Sequence, residues 1–351
     1  MAGDNDLKFM QRCLELALKA EGMTYPNPLV GSVIVHDGEI IGEGYHLKAG
    51  GLHAEAMAID AVKNKKLLTS STLYVNLEPC SHFGKTPPCA DMIISYKIPA
   101  IVVGTTDTSA KVSGQGIMKL KIAGCNVVTG VSEDECRRIN RRFFTFHEKK
   151  RPYITLKWAQ SADGFIDIKR KNKPGAGPGW ITGKSERILV HKWRASEQAI
   201  LVGAETVRTD NPRLNVREWK GNNPVRIILS ASGILPEELA MNKLIGSQVI
   251  FSFFPEKINL PGSVVVKLGN HESSAIQILD HLFGWGIQSL FIEGGAKVLN
   301  HFIGSGLWDE ARIFHGNQIF KDGVKAPEIE GRLFSKTKFS KSTLEILLNN
   351  T

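Results

Sequence analysis

LEPCSHFGKTPPC, residues 77–89, sets two cysteines behind prolines in one loop that follows the β-rich run TLYVNL. Upstream, GLHAEAMAIDA, residues 51–61, places His53 two residues before Glu55 at the start of a helix-like stretch. Working outward, the helix from His53, the strand TLYVNL, the cysteine loop, the helix ADMIISY and the strands AIVVG and NVVTG alternate. That alternation predicts a layered α/β domain. Before it, LVGSVIVHDGEIIGEG holds two β-rich runs around Asp37-Gly38, a hairpin signal. An opening helix is expected from Leu7, Met10, Leu14 and Ala17, with Gly22 as its C-terminal cap. Ser132-Glu133-Asp134-Glu135 offers a capping box for a later helix.

At Arg151-Pro152 the pattern restarts with YITLKWA, followed by AILVGA, VRIILS, QVIFSFF, SVVVKL, SLFIEGG and EARIFH. A second α/β domain follows from these runs, and 351 residues suit roughly two domains. The boundary is expected at residues 148–151, giving domains 1–148 and 149–351. The Gly-, Pro- and Lys-rich segment 169–180 reads as a flexible loop and a candidate lid.

Composition narrows the class. The chain is 42% hydrophobic and 23% charged, as in an ordinary soluble globular protein. No apolar run approaches the roughly 20 residues of a membrane span, and the acidic, polar N-terminus does not read as a secretory signal. A cytoplasmic protein is expected. Its five cysteines all lie in the first 150 residues, an odd number in no regular framework, which leaves metal or packing roles. Lysine and arginine number 44 against 35 acidic residues, with the densest cluster in RRINRRFFTFHEKKR, residues 137–151. Attraction of phosphate or nucleic acid and a solvated helix face both fit that cluster.

A histidine and a glutamate two apart are weak evidence alone, because i and i+2 do not share a helix face. The cysteine loop changes the reading. Catalytic zinc takes three protein ligands and leaves a fourth position open, and His53, Cys80 and Cys89 make such a set. Glu55 then stands beside the metal as a proton carrier. The pattern agrees with the zinc-deaminase signature H-x-E…P-C-x-x-C, except that eight residues separate the cysteines here. In the alternative of a closed structural site, His82 would be the fourth ligand. Cys13, Cys125 and Cys136 read as core thiols. No G-x-G-x-x-G follows a strand in the second half, so a Rossmann site is not expected there. Glu293-Gly294-Gly295 instead joins a strand to a helix, a turn that lets a phosphate approach the backbone.

PNPLVG (26–31), GEGYH (42–46), AGGLHAEAMA (49–58) and the cysteine loop together resemble the deaminase half of the bifunctional riboflavin-biosynthesis deaminase/reductase family. LKWAQSADGFI (156–166), WIT (180–182), residues 193–217 and IEGGA (292–296) resemble its reductase half. The resemblance implies a cytidine-deaminase-like α/β/α domain followed by a dihydrofolate-reductase-like α/β domain. It also implies zinc-dependent deamination of a diaminopyrimidinone ribosyl phosphate, then NADPH-dependent reduction of the ribosyl group. By the same resemblance Asn27, His46, His82, Lys85 and Thr86 contact the deaminase substrate. Arg194, Leu214, Arg217 and Glu293 contact the reductase substrate. Trp180, Thr206, Asp210 and the run Gly295, Ala296, Lys297, Val298, Leu299, Asn300 and His301 meet NADPH, and Lys157 and Asp210 are the candidates for proton handling. Arginine suits the substrate phosphate through its bidentate fork. The partners implied are small phosphorylated pyrimidines, with no nucleic acid and no membrane, and a homo-oligomer, dimer or tetramer, is expected. Two other readings stay open: a deaminase whose second half has lost its cofactor, and an RNA-binding module with a structural zinc.

Overall fold

The computed structural model describes residues 3–81, 87–109, 113–168, 181–243 and 246–350. Residues 82–86, which carry His82, Lys85 and Thr86, lie outside this set, as does the expected lid at 169–180 with Trp180. The chain divides into two compact units, Met1–Lys150 and Arg151–Thr351.

In the first unit the elements run α1 (Asp4–Leu18), β1 (Gly31–His36), β2 (Glu39–Tyr45), α2 (Ala54–Ala61), β3 (Thr72–Leu77), α3 (Cys89–Ser95), β4 (Ala100–Thr105), α4 (Gln115–Ile122), β5 (Asn126–Thr129), α5 (Glu133–Ile139) and α6 (Arg141–Lys149). Strand periodicity sends Val33, Val35, Tyr74 and Val102 to one face and Ile34, Leu73, Val75, Ile101 and Val103 to the other. Both faces are apolar, so both need cover. α1 and α5 pack on the first, and α2, α3 and α4 on the second. The sheet order is β2-β1-β3-β4-β5, with β1 antiparallel to both its neighbours and β3, β4 and β5 parallel. The hairpin turns on Asp37 and Gly38, both left-handed at φ 49° and 80°, as a two-residue turn matching strand twist requires.

Two expected caps differ. α1 stops at Leu18, and Gly22, at φ 80°, closes the turns that follow rather than the helix itself. Ser132 does precede α5, but it sits left-handed at φ 53° instead of in the extended conformation that aims an N-cap hydroxyl at the helix, and it makes no side-chain cap.

The second unit runs β6 (Tyr153–Gln160), β7 (Phe165–Ile168), α7 (Lys184–Ser196), β8 (Ala199–Gly203), α8 (Ala204–Asp210), β9 (Val225–Ser230), β10 (Gln248–Ser252), β11 (Val264–Lys267), α9 (Ser274–Gly284), β12 (Ser289–Gly294), α10 (Ala296–Gly304), β13 (Glu310–Gly316), β14 (Gly323–Lys325), β15 (Arg332–Lys338) and β16 (Ser342–Leu348). Nine strands form one sheet in the order β11-β10-β9-β8-β12-β6-β13-β16-β15, parallel as far as β13 and antiparallel beyond it. β7 and β14 pair separately. α9 and α10 bury one face of the large sheet, and α7 and α8 the other. β12 thus inserts between β8 and β6, and the helices leaving the neighbours β8 and β12 go to opposite faces. A crevice at the carboxyl ends of such strands is the usual ligand position in open α/β sheets.

Candidate functional site

The His-x-Glu stretch works because His53 is not in the helix. It is the N-cap of α2, extended at φ −75° and ψ 159°, while Glu55 lies in the first turn. The i, i+2 objection therefore does not apply. Gly42 and Gly44 of β2 bring α2 close: a Cβ on Gly44 would stand 2.6 Å from Ala58 N and 2.7 Å from Ala54 O. Any larger residue would push the start of α2 away from the sheet.

His53 Nδ1 faces both thiols, 3.3 Å from Cys89 Sγ and 3.5 Å from Cys80 Sγ. The Cys89 N–H donates to Cys80 Sγ at 3.3 Å, which fixes the start of α3 against the end of the β3 strand. Tetrahedral zinc with bonds of about 2.0–2.3 Å separates a nitrogen from a sulfur ligand by about 3.6 Å. The three donor atoms, all within 4.8 Å of one another, therefore fit that ion. The Cys89 thiol holds Cys80 well below the ordinary thiol range, against burial, and the same contact together with burial pushes Cys89 up. Glu55 is 3% exposed, and burial, with the Cys80 charge added, pushes its carboxyl up to about 7.

Asn27 and His46 stand beside these groups. The His46 ring packs edge-on to His53 with centroids 5.4 Å apart. Its Nδ1 donates to Leu52 O at 2.9 Å, which leaves Nε2 to accept from Asn27 Nδ2 at 3.0 Å. Burial lowers the His46 pKa and so favours that neutral ring. Two buried residues that sequence reasoning missed hold the loop under Asn27. Asn140 Oδ1 accepts from Leu29 N at 2.7 Å, and Asn76 Oδ1 accepts from Gly31 N at 2.7 Å. Both amides also donate to Leu29 O. Glu78, next to the cysteine loop, was missed too. Its carboxylate accepts from the backbone N–H groups of Asp107, Gly114, Gly116 and Ile117.

The basic cluster turns inward in part. Arg137 lies over the Phe144 ring at 4.2 Å and donates to Glu148, and Arg142 is 5% exposed near Glu21. Phe143 and Phe144 are buried, so they provide no stacking platform for bases.

In the second unit the sheet face under α7 collects charge. Arg194 of α7 grips Glu293 at the end of β12 through two bonds, Nε to Oε1 at 2.6 Å and Nη2 to Oε2 at 2.7 Å. Its Nη1 donates to Asn215 O. The fork expected for a substrate phosphate is therefore engaged with Glu293, whereas the guanidinium of Arg217 is exposed. Burial alone would raise the Glu293 carboxyl, but Arg194 and Lys157 outweigh it and hold it at about 2. Burial lowers the Lys157 pKa, opposed by Glu293 and reinforced by Arg194. His191, buried one turn before Arg194, accepts the Arg217 N–H at Nδ1 over 3.3 Å, and burial with the Arg194 and Arg217 charges lowers it to about 4. Leu214, left-handed at φ 54°, is 2% exposed and packs in the core with Val190 and Val207, which leaves it almost no surface to offer a ligand.

The cofactor candidates split in the same way. Gly295 is left-handed at φ 78°, and a Cβ there would reach Thr206 Oγ1 at 3.1 Å. Thr206 and the Gly294-Gly295 turn therefore face one another across the β8–β12 crevice. The first N–H groups of α10, on Gly295, Ala296 and Lys297, have no intrahelical partner and can meet a diphosphate. This cradle fits a dinucleotide. Val298 and Leu299 are core residues, and His301 bonds Ser274 of α9 at 2.8 Å, which places the later part of the run against the protein. Asp210 ends α8 one turn beyond Thr206, and the charges acting on Lys157 come from Glu293 and Arg194 rather than from it.

A His-Cys-Cys cluster with a buried carboxylate in an α/β/α unit, joined in one chain to a dinucleotide crevice, defines a zinc deaminase coupled to a reductase. Residues 4–105 match the zinc-binding region of cytidine and deoxycytidylate deaminases, and residues 152–343 match the RibD C-terminal domain. The chain is 40% identical over 337 residues to the riboflavin biosynthesis protein RibD of Aquifex aeolicus, covering 94% of this chain and 92% of that one. With RibD of Bacillus amyloliquefaciens the identity is 37%, over 94% and 89% of the two chains. Among solved structures, the diaminohydroxyphosphoribosylaminopyrimidine deaminase/5-amino-6-(5-phosphoribosylamino)uracil reductase of Thermotoga maritima matches with a TM-score of 0.89 at 36% identity, over 98% and 99% of the chains. This chain belongs to the RibD family of riboflavin biosynthesis proteins, with a zinc deaminase domain followed by an NADPH reductase domain.

Proposed function

We propose that this chain catalyses two consecutive steps, one in each domain, with deamination assigned to residues 1–148 and reduction to residues 149–351. The first hydrolyses the ring amine of 2,5-diamino-6-ribosylamino-4(3H)-pyrimidinone 5′-phosphate. The second reduces the ribosyl group of 5-amino-6-(5-phosphoribosylamino)uracil to ribityl. The observation that carries the reading is His53 Nδ1 facing two thiols at 3.3 and 3.5 Å with buried Glu55 in the adjoining turn.

Zinc, when bound by His53, Cys80 and Cys89, supplies Lewis acidity that makes water a usable nucleophile near neutral pH. Glu55, its carboxyl near 7, can take a proton from that water and return it to the departing amine. One water is consumed and one ammonia released. Asn27, aimed by His46, reads the pyrimidine edge, and His82, Lys85 and Thr86 complete the substrate contacts.

In the second domain NADPH supplies the hydride. Gly295, Ala296 and Lys297 offer backbone N–H groups to its diphosphate, with Thr206 alongside and Trp180 and Asp210 as further contacts. Lys157, its ammonium disfavoured by burial, can give a proton to the ribose ring oxygen as the ring opens. Glu293 and Arg194 fix the wall beside it, and Arg217 carries the substrate phosphate. The reading takes the protein to be a cytoplasmic homo-oligomer acting on small phosphorylated molecules and not on nucleic acid. Among the described residues no helix is long and apolar enough to cross a membrane.

The test is Glu55→Gln. The variant should keep its zinc, lose ammonia release and still reduce supplied deaminated substrate. Retained ammonia release would remove Glu55 from the mechanism, and loss of both activities would overturn the assignment of one reaction to each domain.

A further inference from the structure

Glu78 is 4% exposed and takes no part in the chemistry described above. Its environment is nonetheless unusual for a carboxylate, since every described partner is a backbone N–H. Oε1 accepts from Gly116 at 2.8 Å and Ile117 at 3.2 Å, in the first turn of α4. Oε2 accepts from Gly114 at 3.0 Å and Asp107 at 3.1 Å. α4 has no side-chain cap of its own, because its N-cap is Gly114 in the left-handed region. The carboxylate therefore caps the helix from outside, where the dipole and the unpaired N–H groups favour negative charge.

Two residues later in the chain comes Cys80. Pro79 between them is wedged against α4: a Cβ on Gly116 would come within 3.1 Å of the Pro79 carbonyl carbon. The Glu78 N–H donates to Thr105 O at 3.0 Å, and Cys80 O accepts from Ala90 N at 3.1 Å. The segment from Glu78 to Cys80 is thus clamped by α4 on one side and by α3, which begins with Cys89, on the other. Cysteine ligands set by a short strand end would otherwise move with that end.

We propose that Glu78 is the positioning residue of the metal centre: through its four backbone N–H partners it fixes Cys80 at ligand distance from His53 and Cys89. This rests on the reading of those three residues as the zinc ligands. Only a group that accepts at both oxygens satisfies four donors, so Glu78→Gln, which turns an NH2 toward two N–H groups, must release one pair. Residues that orient metal ligands without touching the metal commonly change affinity by about 10- to 100-fold.

The experiment uses the full chain and compares wild type, Glu78→Gln and Glu78→Asp. It measures zinc affinity by chelator competition, the absorption of the cobalt-substituted protein, and the rise in melting temperature on adding zinc. The wild type should bind one zinc, and failure to do so would overturn the ligand assignment itself. With zinc bound by the wild type, the expected result for Glu78→Gln is an affinity lower by about 10- to 100-fold, altered thiolate-to-cobalt bands and a smaller zinc-induced rise in melting temperature. Glu78→Asp, which keeps the charge but not the reach, should fall between the two and carries the test if Glu78→Gln does not fold. Wild-type affinity and cobalt bands, or a melting temperature lowered equally with and without zinc, would overturn the proposal and leave Glu78 a helix cap only.

Discussion

Replacing Glu293 by glutamine removes the carboxylate that acts on both Arg194 and Lys157, two largely covered cations. The Arg194 and Glu293 side chains are only 12% and 8% exposed and share two bonds of 2.6 and 2.7 Å. Holding the Glu293 carboxyl at about 2, against 4.5 when unperturbed, corresponds to about 3 kcal/mol of folding free energy. Breaking a buried pair by removing one partner costs about 3–5 kcal/mol. The two routes agree, so Glu293→Gln should destabilise the second unit by about 3 kcal/mol or somewhat more at neutral pH. Because the folded pKa is depressed, the contribution is complete above the unfolded value of 4.5 and fades as pH falls toward 2. At about pH 3 the gap between wild type and variant should have shrunk by about 2 kcal/mol. All six tryptophans lie in the second unit, so urea unfolding followed by tryptophan fluorescence reports that unit alone. A gap below about 1 kcal/mol, the range of an exposed ion pair, or a gap unchanged between neutral pH and pH 3, would refute the reasoning.

Two further outcomes follow from the first unit. Cys89→Ser should bring zinc below one per chain by metal analysis, and an unchanged content would remove Cys89 from the ligand set. Gly44→Ala forces a methyl to within 2.6 Å of Ala58 N, so α2 must shift. The variant should lose about 1–3 kcal/mol in calorimetry and bind zinc more weakly, because His53 caps that helix and Glu55 lies in its first turn; wild-type values for both would show that the close approach is not needed.

The parts of the fold and site visible in the sequence are those with local causes. Asp37-Gly38 announces its hairpin because two adjacent residues must be left-handed, and the zinc trio stands out because its chemistry needs scarce residue types at the ends of elements. Residues whose partners are distant backbone groups left no such trace. Asn76 bonds Leu29 and Gly31, Asn140 bonds Leu29, and Glu78 bonds amides 29 to 39 residues away. Arg194 and Glu293 are 99 residues apart, so nothing local says that the arginine fork is engaged. Val298 and Leu299 entered the cofactor run by position, yet helical geometry turns them into the core after the first free N–H groups. β15 gave no signal because it is an edge strand with both faces largely exposed, and period-two patterning needs a buried face.

On the proposed function, one chain performs a zinc-dependent deamination whose product its second unit reduces. The most direct test is to give purified, zinc-loaded protein the diaminopyrimidinone ribosyl phosphate with NADPH and to follow ammonia and NADPH together. Ammonia should appear first, with NADPH oxidised afterwards in equal amount. Ammonia without NADPH oxidation, or NADPH oxidation of the diamino compound without ammonia, would contradict the account.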